Sequence, residues 1–200
     1  MSNSANTDHP IHALLELRWS PYGFSNAPIE PEVIRSLFEA ARWAPSSYNE
    51  QPWHYIVATQ DEPEAYEKLL SVLVEPNQAW AKNAPVLALG VISNNFARNG
   101  KSNRAAVHDL GLASGNLVLE ATARGLCVHQ MIGLDPEKAR EIFAIPEGYE
   151  AYTALAIGYK ADANDVAEEL AKRDAGTRER KPLHEFVFGG QFGQVSDLVK

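Results

Sequence analysis

A single layered α/β domain with a C-terminal extension is the fold class this sequence predicts. Helical and strand periodicities alternate along the chain, one apolar run lacks the alternation of a half-exposed strand, and neither a repeat nor a low-complexity linker divides the sequence. Its 200 residues suit one domain, or at most a small pair, and can bury a core without disulfide or metal staples.

The elements follow in order. Residues 1–9 are polar, lack the apolar stretch of a secretory signal and read as a flexible arm. Ile11, Leu14 and Leu15 predict a short amphipathic helix over 10–17, which delivers Arg18, Trp19 and Ser20 into a turn closed by Pro21 and Gly23. Val33, Ile34, Leu37, Phe38 and Ala41 share one face of a helix over 30–43 that Pro45 stops. A polar loop over 45–52 enters a strand at 53–59, followed by a helix over 62–74 and a loop around Asn77. Residues 85–93 predict a strand covered on both faces. Residues 102–124 predict the longest helix. Its Gly111 and Gly115 each cost about 1 kcal/mol against alanine, so a backbone or a flat ligand is expected to approach them. Gly125 ends that helix. A short strand or extended loop at 127–131, a helix opened by Asp135 as N-cap and Pro136, a strand at 151–159 and a charged helix at 163–173 complete the domain, residues 10–176. The extension, residues 177–200, carries Arg178, Arg180 and Lys181 and then Phe186, Val187, Phe188 and Phe192. Its aromatics need a surface, either a second subunit or the same chain.

Composition narrows the function classes. Hydrophobic residues make up 45% and charged residues 22%, which excludes wholesale disorder and a coiled coil. The net charge of −8 disfavours nonspecific binding of nucleic acid or an anionic membrane, so any bound anion needs a local cluster of donors. Cys127 is the single cysteine, which excludes an intrachain disulfide and favours a reducing, cytoplasmic compartment. The longest apolar run falls far short of the roughly 20 residues a membrane-spanning helix needs. The histidines stand singly and Cys127 with His129 has no partner pair, so no metal site is expected. Dinucleotide, Walker and nucleophile-elbow motifs are absent from the sequence, and no carboxylate pair stands out. What remains is Arg18-Trp19-Ser20, the loop Pro45-Ser46-Ser47-Tyr48-Asn49-Glu50-Gln51-Pro52-Trp53, and the basic tail. Arginine recognises phosphate with a planar fork, and a hydroxyl- and amide-rich loop can meet the edge of a polar heterocycle.

These same residues carry a resemblance. Arg18-Trp19-Ser20, then Ala44 through Val57 with its P-S-S-x-N-x-Q-P-W core, then Asn77-Gln78, then Gly115 through Ala121 with Arg124-Gly125-Leu126, then Ile157-Gly158-Tyr159 and finally Arg178-x-Arg180-Lys181-Pro182-Leu183 occur in the order of the FMN-dependent nitroreductase family. The chain resembles that family over nearly its whole length. The resemblance implies an α+β fold with a mixed central sheet flanked by helices. It also implies a homodimer with FMN at the interface and a C-terminal extension exchanged with the partner. It implies that Arg18 and Ser20 bind the phosphate and ribityl end, and that the Trp19 backbone faces the isoalloxazine. Ser46, Ser47, Asn49 and Gln51 would line the flavin from the partner subunit, Gln130, Met131, Ile132 and Gly133 would lie over its far side, Asn77 would meet the pyrimidine edge, and Arg178 and Arg180 would close on the phosphate.

The implied activity is an oxidoreductase that passes a hydride from NADPH or NADH through FMN to a nitroaromatic, quinone or similar electron-poor small molecule, in a ping-pong cycle that needs no catalytic side chain. A metabolite-specific FMN reductase, a dehalogenase and a non-catalytic flavin-binding module are the alternatives. The family often places a second basic residue two positions after the serine. Here Tyr22 stands there, which is expected to make the flavin harder to reduce.

Overall fold

A computed structural model describes residues 4–199; residues 1–3 of the arm and Lys200 of the extension lie outside the described residues. The helices are α1 (Ala13–Leu17), α2 (Pro31–Arg42), α3 (Pro63–Ser71), α4 (Glu75–Ala81), α5 (Ala106–Ala123), α6 (Pro136–Phe143) and α7 (Glu168–Asp174). The strands are β1 (Trp53–Thr59), β2 (Val86–Ser93), β3 (Cys127–Met131) and β4 (Tyr149–Gly158). They form one sheet in the order β1-β2-β4-β3. The α+β fold is therefore as expected. The sheet differs from the mixed one implied by resemblance in that all its described pairings are antiparallel.

The full burial of β2 up to Ser93 follows from its period of two. Leu87, Leu89 and Val91 join a core with Tyr66, Leu69 and Trp80 on one face of the sheet. Val86 and Ala88 join a second core with Leu37, Ala41, Ala113 and Leu117 on the other. β4 divides likewise, Ala154 and Ala156 to the first core, Leu155 and Ile157 to the second. Helices thus cover both faces. The ladder between β2 and β4 shifts register after Gly90, where a Cβ would come within 2.8 Å of the Thr153 side chain.

Local signals act as expected at several ends. Asp135 accepts from the Lys138 N–H at 3.0 Å and caps α6. Gly125, at φ +74°, ends α5 with the Leu126 N–H on Ala121 O at 2.8 Å. Three segments differ. Asn77 lies inside α4 rather than in a loop: Pro76 sits in the first turn, where it favours a helix, and Trp80 and Ala81 are buried. The charged helix begins only at Glu168, because Val166 is extended. Gly111 and Gly115 face open space, so nothing in the same chain approaches them.

The extension closes on itself through a Phe188–Val195 bridge, yet Phe192 and Leu198 remain more than nine-tenths exposed. Among the described residues no helix is long and apolar enough to cross a membrane.

Candidate functional site

α1 is a single short turn capped by His12, and its C-cap is Arg18, whose N–H bonds Leu14 O. The chain then leaves extended along β3. There Ser20 Oγ donates to Val128 O at 3.2 Å and accepts from Arg18 Nη1 at 3.0 Å. Arg178 reaches back from the extension and donates to Glu16 O and Arg18 O, both at 2.8 Å. The two guanidinium groups, with Arg180 and Lys181, line a cleft of about 780 Å³ that Asp8 and His9 also border. Burial, and after it the positive charges of Arg178 and Arg180, push the Arg18 pKa below its ordinary value. Burial and Arg180 do the same to Arg178. Arg18 and Arg180 enter no ion pair among the described residues. Like charges held together at this cost in repulsion are a donor set that fits a dianionic phosphate.

The turn is held from below by α7. Asp174 accepts from the Tyr22 and Gly23 N–H groups at 2.8 and 2.9 Å. A side chain at Gly23 would meet Asp174 and Val166 at 3.2 and 3.0 Å. Tyr22 packs edge-on against Trp80 and His129, and the Arg173 guanidinium lies 4.3 Å over its ring, so a cation sits beside the position where the family often has one. Trp19 carries Lys160 Nζ at 4.6 Å over its ring. His129 Nδ1 is 2.8 Å from Pro21 O, which assigns the ring proton to that nitrogen, and burial lowers its pKa. Burial likewise pushes the Cys127 thiol up, an unreactive setting.

Further along β3, Gln130 and Ile132 are exposed and Met131 is buried. Gly133 receives Asn77 Nδ2 on its carbonyl at 3.1 Å, and a Cβ there would lie 2.6 Å from that nitrogen. Asn77 is thereby tied to Gly133, although it comes from a helix. Arg18, Trp19, Ser20, Asn77, Gln130–Gly133, Arg178 and Arg180 thus lie along the β3 edge.

Ser46, Ser47, Asn49 and Gln51 do not join them. Their loop enters β1, the opposite edge strand, at Trp53. Val128 shares a row with Ile157, Val86 and Thr59, whereas Trp53 shares one with Ile92 and Glu150. Ser20, beside Val128, and the loop therefore lie at diagonal corners of the sheet, roughly 14 Å apart across the strands and roughly 20 Å along them, whereas Met131, in a row with Ala154, Leu89 and Ile56, lies nearer the loop's end of the sheet. The loop is built tightly. Gln51 N–H donates to Ser46 Oγ at 3.0 Å, and Gln51 Nε2 donates to Asn49 O at 3.1 Å. Tyr48, Asn49 and Gln51 are left-handed, at φ 56°, 56° and 52°. Strain of this kind persists only where neighbours impose it, and it collects at ligand-facing segments.

Sequence reasoning missed the loop's anchor. Asp109, 1% exposed on α5, accepts from the Ser47 N–H at 3.0 Å and lies 3.2 Å from His108 Nδ1. The signal was an acid on the apolar face shared with Ala106, Leu110 and Ala113, but its partner lies 62 positions away. It also missed Asp174, Arg173 and Lys160. A second cleft, about 810 Å³, lies among Phe24, Lys82, Lys160 and Asp162 and holds none of the expected residues. Among the described residues no group of three or more His, Cys, Asp or Glu could hold a metal.

Residues 15–159 match the Nitroreductase family. The major NAD(P)H-flavin oxidoreductase of Aliivibrio fischeri is 26% identical, across 82% of this chain and 94% of that protein. A crystal structure of an oxidoreductase containing FMN superposes with a TM-score of 0.89 at 31% identity, covering 97% of this chain and 98% of the other. A Desulfovibrio desulfuricans protein solved in complex with FMN shares the fold, with a TM-score of 0.70 at 24% identity over 93% of this chain and 99% of its own.

Proposed function

The chain belongs to the nitroreductase family, and from that premise we propose that it is an FMN-dependent NAD(P)H oxidoreductase whose site is completed by a second copy of itself. The observation that carries this reading is the cluster of Arg18, Arg178 and Arg180 beside Ser20, on a chain of net charge −8. FMN carries about −2 charge on a phosphomonoester, and this donor set matches it.

When bound, FMN would supply the hydride chemistry between NADPH or NADH and a nitroaromatic, quinone or similar acceptor. The protein's own residues bind and orient. Arg18 and Ser20 hold the phosphate and ribityl end, Arg178 and Arg180 close over the phosphate, and the Trp19 backbone faces the ring. Gln130 to Gly133 cover its far side, with Asn77 near the pyrimidine edge. Ser46, Ser47, Asn49 and Gln51 of the partner border the other side. The cycle is read as ping-pong, with nucleotide and acceptor using the same site in turn.

The separation of the Ser20 corner from the loop supports the homodimer, because a second copy can bring its loop to the phosphate-binding cluster. The open Gly111 and Gly115 on α5, and the uncovered Phe192 and Leu198, supply apolar surface for the second copy. Arg178 is tied to Glu16 O and Arg18 O of its own chain, so the exchange between subunits is read for the later part of the extension, around the uncovered Phe192 and Leu198. The single cysteine suits a cytoplasmic setting.

The purified protein tests the reading directly. It should carry flavin absorbance, bleach with NADPH or NADH, and recover with menadione or nitrofurazone. Colourless protein that stays colourless with excess FMN overturns it.

A further inference from the structure

Residues 94–104 carry Arg98, Lys101 and Arg104 and no acidic residue, on a chain whose sum is −8. None of the three enters an ion pair or donates a side-chain hydrogen bond among the described residues, and all are exposed. The segment is nevertheless fixed. Its neck is closed by Asn103 N–H on Asn94 O and by Phe96 N–H on Lys101 O, both at 2.8 Å, with Gly100 in the left-handed region at the turn.

The segment is also docked on the left-handed loop. Arg98 Cζ lies 4.0 Å over the Tyr48 ring, Phe96 meets that ring edge-on at 6.0 Å, and the Glu50 carboxylate accepts the Ala97 N–H. Stacking uses the face of the Arg98 guanidinium and leaves its N–H edge for an anion. A positively charged arm, anchored through Tyr48 and through the Glu50 carboxylate on the Ala97 N–H, thus stands beside the loop that is read as bordering the flavin.

NADPH and NADH differ by one phosphate on the adenosine ribose, far from the nicotinamide that must reach the flavin. We propose that residues 94–104 form the arm that reads this 2′-phosphate, with Arg98 as the anchored donor and Lys101 and Arg104 as the surrounding charge, so that the enzyme prefers NADPH. The inference rests on the reading of the Ser46–Gln51 loop as a border of the flavin site.

The test uses adenosine 2′,5′-bisphosphate and 5′-AMP as probes on the FMN-loaded protein, with affinities measured by calorimetry. The bisphosphate binds about tenfold or more tightly than AMP in the wild type, as one good charge-assisted contact allows. Its advantage shrinks with added salt, since the arm is exposed. In the triple variant Arg98→Ala, Lys101→Ala, Arg104→Ala, and in the single variant Lys101→Glu, the advantage falls severalfold. The ratio of kcat/KM for NADPH over NADH falls with it. Flavin content serves as the control for folding. Equal binding of the two probes by the wild type overturns the proposal, as does a ratio that neither variant changes. Failure of the protein to bind FMN or oxidise either nucleotide is a different result: it removes the flavin reading itself.

Discussion

At the β3 corner of the sheet the candidate site is made of charge, and at the β1 corner of shape. Arg18 and Arg178 meet near Ser20, held by hydrogen bonds to backbone oxygens and to a hydroxyl, and their mutual repulsion waits for an anion. The Ser46–Gln51 loop has little formal charge to offer. Several of its own donors are turned inward, and its backbone is bent into left-handed conformations by Asp109 and by Ser46. A phosphate gains most from the first corner, and a flat ring from a rigid border such as the second. Because Ser20 and the loop lie at diagonal corners of one sheet, a second copy of the chain is the proposed source of the missing half.

The largest effect is expected where that geometry is tested in trans. Arg18→Ala removes a charge-assisted contact of about 1.5–3 kcal/mol, so flavin affinity falls about ten- to a hundredfold. A loop variant, Ser47→Pro, which deletes the N–H held by Asp109, is expected to lose the other half. Homodimers of either variant retain flavin poorly. A mixed dimer of the two has one doubly broken site and one intact site, so one flavin per dimer binds with wild-type affinity. Titration of FMN into purified heterodimers checks this. If no tight site returns, both halves come from one chain and the diagonal argument fails.

A smaller effect isolates the shaped corner. Asp109→Ala leaves the Ser47 N–H without its partner, and stability falls by about 1–3 kcal/mol. Flavin affinity changes less than in Arg18→Ala, since the phosphate grip is untouched. Urea midpoints and flavin titration separate the two quantities. A loss of affinity equal to that of Arg18→Ala would mean that the loop, rather than the charges, dominates binding.

How much of this was legible in the sequence follows the same division. β1 is read with its bounds because a short apolar run between turn residues leaves few alternatives, and residues 127–131 are read as a strand or extended loop, which the structure makes β3. The double-sided burial of β2 is legible from its unbroken apolar run, and the cap of α6 from Asp135-Pro136. α4 is not, because Pro76 and Asn77 read as breakers while the burial of Trp80 is a tertiary fact. Arg18, Ser20, Arg178 and Arg180 were found through resemblance, and spacing alone could not join residues 160 positions apart. Asp109 and Asp174 act across 62 and about 150 positions on backbone N–H groups, which any residue supplies, so nothing in the sequence marks their partners.

The smallest expected effect distinguishes the corners by pH. His129 lies beneath the charged corner, with Nδ1–H on Pro21 O, one residue past Ser20, and its ring against Trp80 and Tyr22. Burial disfavours the imidazolium, so the folded pKa is below the ordinary 6.5, and the unfolded chain binds the proton more readily. The neutral ring therefore contributes its full share of stability above about pH 6.5, and that share is lost as the pH falls below it. His129→Gln keeps an N–H donor for Pro21 O and removes the titration. Urea midpoints of the variant should fall less than those of the wild type between about pH 7.5 and pH 5.5. Equal falls would mean that His129 does not set the acid sensitivity. Acid should therefore loosen the turn around Ser20 and Pro21, which His129 holds.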